Sequence, residues 1–216
     1  MKPELVIFDM DGVVFDSEKV YYTANKMAAD ELGIKYSMDY YRRFIGAGNE
    51  QMMTAMTEDL GDASLVRKFM ERSFSLINPL VMEGKLELKK GFLELTSFLQ
   101  ASRTPYVLAS SNDRKQIDFY LRTLKMDLGF NLIISADDVD QAKPSPEIFN
   151  HAWQKAGHPV KEKTLVIEDS HNGILAANRA QIPVAMVPDL IQPTDYDIQN
   201  TFGVFHDLNE LTNFLN

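Results

Sequence analysis

A chain of 216 residues, 45% of them hydrophobic, is long enough for one large domain or for a domain carrying a smaller insert. With 22 Lys and Arg against 31 Asp and Glu the formal net charge is −9, which argues against general attraction to nucleic-acid phosphates or an anionic membrane; any anionic ligand has to be caught by a local site. The absence of cysteine excludes disulfides, thiolate metal sites and cysteine nucleophiles together, and fits a reducing compartment.

The first apolar run, "ELVIFD" (Glu4–Asp9), is too short for a secretory core or a membrane span and lacks a small-residue cleavage site, so the chain reads as cytoplasmic. It predicts a strand that is apolar on both faces, as strands covered by helices on each side must be. The strand ends in Asp9, followed at once by Asp11 and Gly12. Clustered carboxylates repel one another and resist burial unless something cationic sits among them.

From Ser17 to Glu87 the texture changes to helical runs: "SEKVYYTANKMAADELG", "NEQMMTAMTEDLG" and "LVRKFMERSFSLI". Asp16 and Ser17 read as the start of the first of these helices, and Asn49 as the N-cap of the second. Seven of the 11 methionines fall in this segment. They suit packing within a small bundle, or a pliable surface facing a substrate.

Beyond Glu87 strand and helix alternate. "PYVLAS" (Pro105–Ser110), "NLIISA" (Asn131–Ala136), "TLVIED" (Thr164–Asp169) and "PVAMV" (Pro183–Val187) predict strands. "NDRKQIDFYLRTLKM" predicts a helix started by Asn112 or Asp113. "SPEIFNHAWQKAG" predicts another, with Ser145 as cap and Pro146 in the first helical position, and "SHNGILAANRAQ" a third; "DLIQPTDYD" reads as a surface loop. The expected fold is α/β: a Rossmann-like, doubly wound parallel sheet over residues 1–16 and 88–216, with an all-α cap domain inserted at 17–87.

Ligands of an open parallel sheet bind beyond the carboxyl ends of its strands. Four segments deliver chemistry to that edge: Asp9 and Asp11; Ser110, Ser111 and Asn112; Lys143; and Glu168 with Asp169. Taken singly, each has an ordinary explanation as a helix cap or a solvated side chain. Capping does not explain Asp9 at the end of the strand itself, two residues from a second Asp. Hard oxygen donors without His or Cys suit Mg2+ rather than Zn2+. Ser110, Asn112, a helix N-terminus and Lys143 suit the oxygens of a phosphoryl group, and a carboxylate attacking phosphorus forms an aspartyl-phosphate.

With "DMDGVVFDSE", the Ser110 of "VLASSN", the Lys143 of "KPSPEIF" and "IEDSHNG" in this order, the chain resembles the haloacid dehalogenase-like hydrolases, in the branch that includes β-phosphoglucomutase and small sugar-phosphate phosphatases. The resemblance implies Asp9 as nucleophile and Asp11 as general acid and base. It further implies Ser110 and Lys143 around the phosphoryl oxygens, beside which Ser111 and Asn112 at the same strand end are further phosphate-binding candidates, and Mg2+ held by Asp9, the backbone carbonyl of Asp11 and Asp169, with Glu168 behind them. Asp11 weighs against dehalogenation, because halide departure needs no proton. Where the mutase has a gating His this chain has Tyr21, and where it has a phosphate-binding Arg this chain has Asn49; Arg72 lies near another basic cap position. Asn49 and Arg72 are thus the candidate substrate contacts of the insert. The expectation is a monomeric Mg2+-dependent phosphomonoesterase acting on a small phosphorylated metabolite such as a sugar phosphate, with no nucleic-acid or membrane partner. The alternatives are a phosphohexomutase and a non-catalytic binding protein on the same scaffold.

Overall fold

The structure, a computed structural model, describes residues 2–45 and 48–216. Gly46 and Ala47 of "IGAGNEQ" lie outside the described residues. The chain divides into two compact units, Met1–Asp16 with Leu88–Asn216, and Ser17–Glu87.

The first unit holds a six-stranded parallel sheet of β1 (Leu5–Phe8), β2 (Tyr106–Ala109), β3 (Ile133–Ile134), β4 (Thr164–Glu168), β5 (Val184–Met186) and β6 (Gly203–Val204), in the order β3-β2-β1-β4-β5-β6. β1, β2 and β4 are buried along their whole length, because helices cover both faces. Leu5 and Ile7 pack with Val107, Ala109 and Val166 against Ile148, Phe149 and Ala152 of α7 (Glu147–Lys155) and Ile174 and Ala177 of α8 (His171–Arg179). On the alternate side-chain direction Phe8 meets Phe92, Tyr106 and Phe130 edge-on, at 5.5, 6.0 and 6.1 Å between ring centroids. Phe92 opens α5 (Phe92–Ala101), on which α10 (Leu208–Leu215) packs, and α6 (Arg114–Thr123), N-capped by Asp113, follows β2.

Chain order runs outward from β1 through β2 to β3 and then returns beside β1 as β4. The crevice at this reversal, at the carboxyl ends of β1, β2 and β4, is where a doubly wound sheet binds ligands. The register sets Phe8 against Leu108 on one side and Ile167 on the other, so the three strands end nearly level.

The second unit is helical: α1 (Ser17–Leu32), α2 (Met38–Arg42), α3 (Asn49–Leu60) and α4 (Ala63–Met82). α1 and α4 pack through Val20, Ala24 and Ala28 and through Val66, Phe69 and Met70. Small alanines let the two backbones approach. Met52, Met56 and Met70 are buried, while Met27 and Met82 are exposed.

Several local readings need correction. α2 is an additional short helix, and α4 extends well past the expected Leu65–Ile77, through Pro79. Gly48, not Asn49, caps α3; Asn49 is its first helical residue. Pro146, not Ser145, occupies the cap position of α7, and Ser145 Oγ accepts from Glu147 N at 3.4 Å. Of "NLIISA" only Ile133–Ile134 pairs as strand. "DLIQPTDYD" is not simply a surface loop. Its end forms α9 (Asp195–Gln199), started by a reciprocal Thr194–Asp197 capping box whose Asp197 is fully buried. No helix is long and apolar enough to cross a membrane among the described residues.

Candidate active site

Asp9 leaves β1 buried and still tied to the sheet, its N–H donating to Ile167 O at 3.0 Å. The chain then turns on itself: Val14 N and Phe15 N both donate to Met10 O, at 2.9 and 3.0 Å, and Gly12 N donates to Phe15 O at 2.9 Å. Gly12 sits at φ +75°, and a Cβ there would lie 2.3 Å from Asp169 Oδ2. Glycine therefore satisfies both the left-handed backbone and the contact between the β1 turn and the β4 loop.

β4 ends in Glu168, whose carboxylate is fully buried and serves two neighbours. Its Oε2 accepts from Asp169 N, Ser170 N and Ser170 Oγ at 3.0, 2.9 and 2.9 Å, folding the loop back over the strand end. Ser170 Oγ in turn accepts from Gly173 N at 3.1 Å and caps α8. Glu168 Oε1 accepts from Lys143 Nζ at 2.6 Å.

Lys143 reaches this point from the loop before α7. Its ammonium bridges Glu168 and Asp9 Oδ1 and lies 4.8 Å above the Phe149 ring. Glu147, four residues on, holds that loop by accepting from Asp140 N at 2.8 Å and Gln141 N at 3.0 Å, while Arg179 at the end of α8 donates to Pro144 O at 2.8 Å. Glu147 and Arg179 were not among the residues singled out by sequence. The "PE" after Lys143 was visible as a helix start, but nothing local reveals which backbone a carboxylate will grip.

Ser110 follows β2, fully buried, and its Oγ accepts from Asn112 N at 3.1 Å. Asn112 Nδ2 donates to Asp11 Oδ2, so the amide expected near phosphate here orients the second aspartate. Ser111 is exposed and lines, with Lys143, Val139 and Asp140, a cavity of about 190 Å3. The segments bearing Asp9, Asp11, Asn112, Lys143, Glu168 and Asp169 are thus joined by direct contacts. Asn49 and Arg72 belong to the second unit: Asn49 is exposed, and Arg72 forks onto Glu31 at 2.6 and 2.8 Å.

Charge in the cluster is unbalanced. Burial pushes the Asp9 carboxyl up, to about 8; Lys143 opposes this, while Glu168 and Asp11 add to it. Burial alone would pull the Lys143 ammonium down, yet Asp9 and Glu168 hold it above the ordinary lysine range. Asp9, Glu168 and Asp169 offer carboxylate oxygens all within 4.8 Å of one another. Glu168 already serves Lys143 and the loop amides. A hard, oxygen-seeking divalent cation beside Asp9 and Asp169 fits this donor set, and would offset the carboxylate charge that one ammonium leaves over.

The sequence pattern of the family described as haloacid dehalogenase-like hydrolase matches residues 6–187. Among curated relatives, the phosphorylated carbohydrates phosphatase of Thermotoga maritima is 30% identical over 96% of this chain and 88% of its own. The (DL)-glycerol-3-phosphatase 2 of Arabidopsis thaliana is 30% identical over 85% and 79%. Among solved structures, a Thermotoga maritima protein provisionally named as a β-phosphoglucomutase superposes with a TM-score of 0.80 at 28% identity, covering 100% of this chain and 98% of that one. A hydrolase from Pseudomonas syringae gives 0.78 at 25%, with the same coverage.

Proposed function

We propose that this chain, which belongs to the haloacid dehalogenase-like hydrolases, is a Mg2+-dependent phosphomonoesterase that acts on a small phosphorylated metabolite such as a sugar phosphate. Supporting this are the named activities of relatives 30% identical over most of the chain, one on phosphorylated carbohydrates and one on glycerol 3-phosphate. The observation that carries the reading is the Lys143 ammonium bridging Asp9 and Glu168, with an Asp169 oxygen within 4.8 Å of both carboxylates.

In this mechanism a carboxylate oxygen of Asp9 attacks phosphorus and the ester oxygen leaves, giving a phosphoaspartate. Asp11, oriented by Asn112, donates its proton to the leaving oxygen and then takes one from the water that attacks the phosphoaspartate. Lys143, Ser110, Ser111 and the Asn112 segment hold the transferring oxygens. The transition state is loose, so positioning and charge neutralisation supply most of the acceleration. Asp9, Asp169 and the Asp11 backbone carbonyl would hold Mg2+, with Glu168 behind them; when bound, the cation supplies positive charge against the phosphoryl oxygens. Residues 1–16 and 88–216 are then the catalytic core and 17–87 a cap, with Asn49 and Arg72 as its candidate substrate contacts.

The test is a screen of phosphorylated sugars and polyols for released phosphate, with Mg2+ and with EDTA. Mg2+-dependent release is expected, and Asp9→Asn should lower turnover by about 10^4-fold or more while the far-UV circular dichroism stays unchanged. Conversion of β-glucose 1-phosphate to glucose 6-phosphate without free phosphate, given a trace of the bisphosphate, would reverse the choice in favour of a mutase. Tolerance of Asp9→Asn would remove the nucleophile.

A further inference from the structure

Asp197 is buried to an extent its helix-capping role does not require. Its Oδ2 accepts from Thr194 N at 2.8 Å and Thr194 Oγ1 at 2.7 Å, which closes the capping box of α9. A second box in this chain, Ser135 with Asp138, makes the same two bonds, both at 2.8 Å, with an exposed aspartate. Capping alone therefore leaves the burial of Asp197 unexplained, and its Oδ1 has no hydrogen-bond partner among the described residues. Such a carboxylate is costly to bury unless another group needs it there.

The group facing it is His171, whose Nδ1 makes no hydrogen bond among the described residues but lies 2.5 Å from Asp197 Oδ2, a close polar contact. His171 is the first residue of α8, directly after Ser170 and two residues after Asp169, and its ring is half exposed. The loop from Asp169 to His171 is consequently gripped at both ends, by Glu168 through Ser170 and by Asp197 through His171. The segment supplying Asp197 is itself pinned upstream, where Asp189 Oδ1 accepts from Lys89 Nζ at 2.7 Å, both side chains largely buried.

We propose that Asp197 is a positioning residue for the cation-binding loop: through His171 it fixes the backbone that aims the Asp169 carboxylate. This inference rests on the metal reading of the preceding section and adds to it a residue on α9, remote in sequence from every candidate ligand. Residues that orient a metal site without touching the ion carry a large share of its affinity, and their loss typically costs about 10- to 100-fold.

The experiment is a calorimetric Mg2+ titration of wild type, Asp197→Asn, His171→Gln and the double variant, with p-nitrophenyl phosphate kinetics alongside. Each single variant is expected to raise the Mg2+ Kd by about tenfold, and the double variant no further than either, because the two side chains act as one unit. At saturating Mg2+ the KM for the ester should stay within about twofold of wild type, since neither side chain is assigned to the ester. Unchanged Kd values, even with a lowered melting temperature, would make the pair merely structural and overturn the proposal, as would effects that multiply in the double variant. His171→Gln, at a half-exposed position, carries the test if Asp197→Asn does not fold. Wild-type protein that takes up no Mg2+ overturns the metal reading and this proposal with it; wild-type uptake with unaltered variants overturns the proposal alone.

Discussion

Gly173 shows how one missing side chain can matter more than helix propensity. In an exposed helix interior Gly→Ala gains about 1 kcal/mol. At Gly173 a Cβ would fall 1.8 Å from the Glu168 carboxylate, which is itself fixed by Lys143 and two loop amides. Overpacking of a fixed neighbour costs about 1–3 kcal/mol, so the sign reverses. Gly173→Ala is expected to lower the urea midpoint and, by displacing Glu168, to reduce turnover as well. Asp11 makes a different prediction, because its proposed task is proton transfer. Asp11→Asn keeps the shape and the backbone carbonyl but removes the acid. Alkyl phosphates, whose leaving oxygen needs a proton, should lose about 10^2- to 10^4-fold in kcat/KM, and p-nitrophenyl phosphate, whose leaving group needs little help, clearly less. Loss of the base for phosphoaspartate hydrolysis lowers kcat on both substrates alike, so the comparison is made in kcat/KM, which reports the first transfer; equal losses there would remove Asp11 from protonation of the leaving oxygen.

At the scale of elements, α10 depends on Asp207. Its Oδ1 accepts from Asn209 N and Glu210 N, both at 3.0 Å, and its Oδ2 from Lys90 Nζ at 2.7 Å. The Lys90 hydrogen bond, with the Glu210 amide, brings the carboxyl down from 3.8 to about 2. A carboxyl depressed in the folded state contributes stability that is fully present above pH 4 and lost as pH falls through about 2. Asp207→Ala should therefore cost about 1 kcal/mol at neutral pH, as lost caps do. The gap between wild type and variant in urea melts should close between pH 4 and 2; a constant gap would assign the loss to packing alone. The cap of this helix went unread in the sequence, as did α5, α9 and β6, and the reasons are physical. β4 was legible because Leu165, Val166 and Ile167, in a strand buried on both faces, make a continuous apolar run, whereas β6 is two residues long. The strand-end carboxylates, the Lys143 ammonium and the Ser110 hydroxyl were legible as candidates because the chemistry proposed for them restricts residue type. Glu147, Arg179 and Asp197 were not, because they are ordinary polar residues whose partners are backbone or side chains far along the chain.

Over the whole molecule, the proposed cation ligands, Lys143 and the Asp197 tie all belong to the unit Met1–Asp16 with Leu88–Asn216, and none to Ser17–Glu87. A ligand that binds only the folded state stabilises by mass action, about 2.7 kcal/mol at a hundred times its Kd. For a chain of this size that corresponds to a rise of about 5–10 °C in melting temperature. The gain should be uneven. On the proposed reading Mg2+ would replace repulsion among Asp9, Asp11, Glu168 and Asp169 with attraction, and so would act first on the strand ends and loops that carry them. In hydrogen exchange with and without Mg2+, added protection is expected at residues 9–12, 110–112 and 168–173, with little change over the helices of 17–87. EDTA should reverse it, and Asp169→Asn should abolish it while leaving exchange in 17–87 as in wild type. Protection spread evenly over both units would mean that the cation binds somewhere other than the ends of β1 and β4, and the phosphoryl-transfer reading would have to be rebuilt around that place.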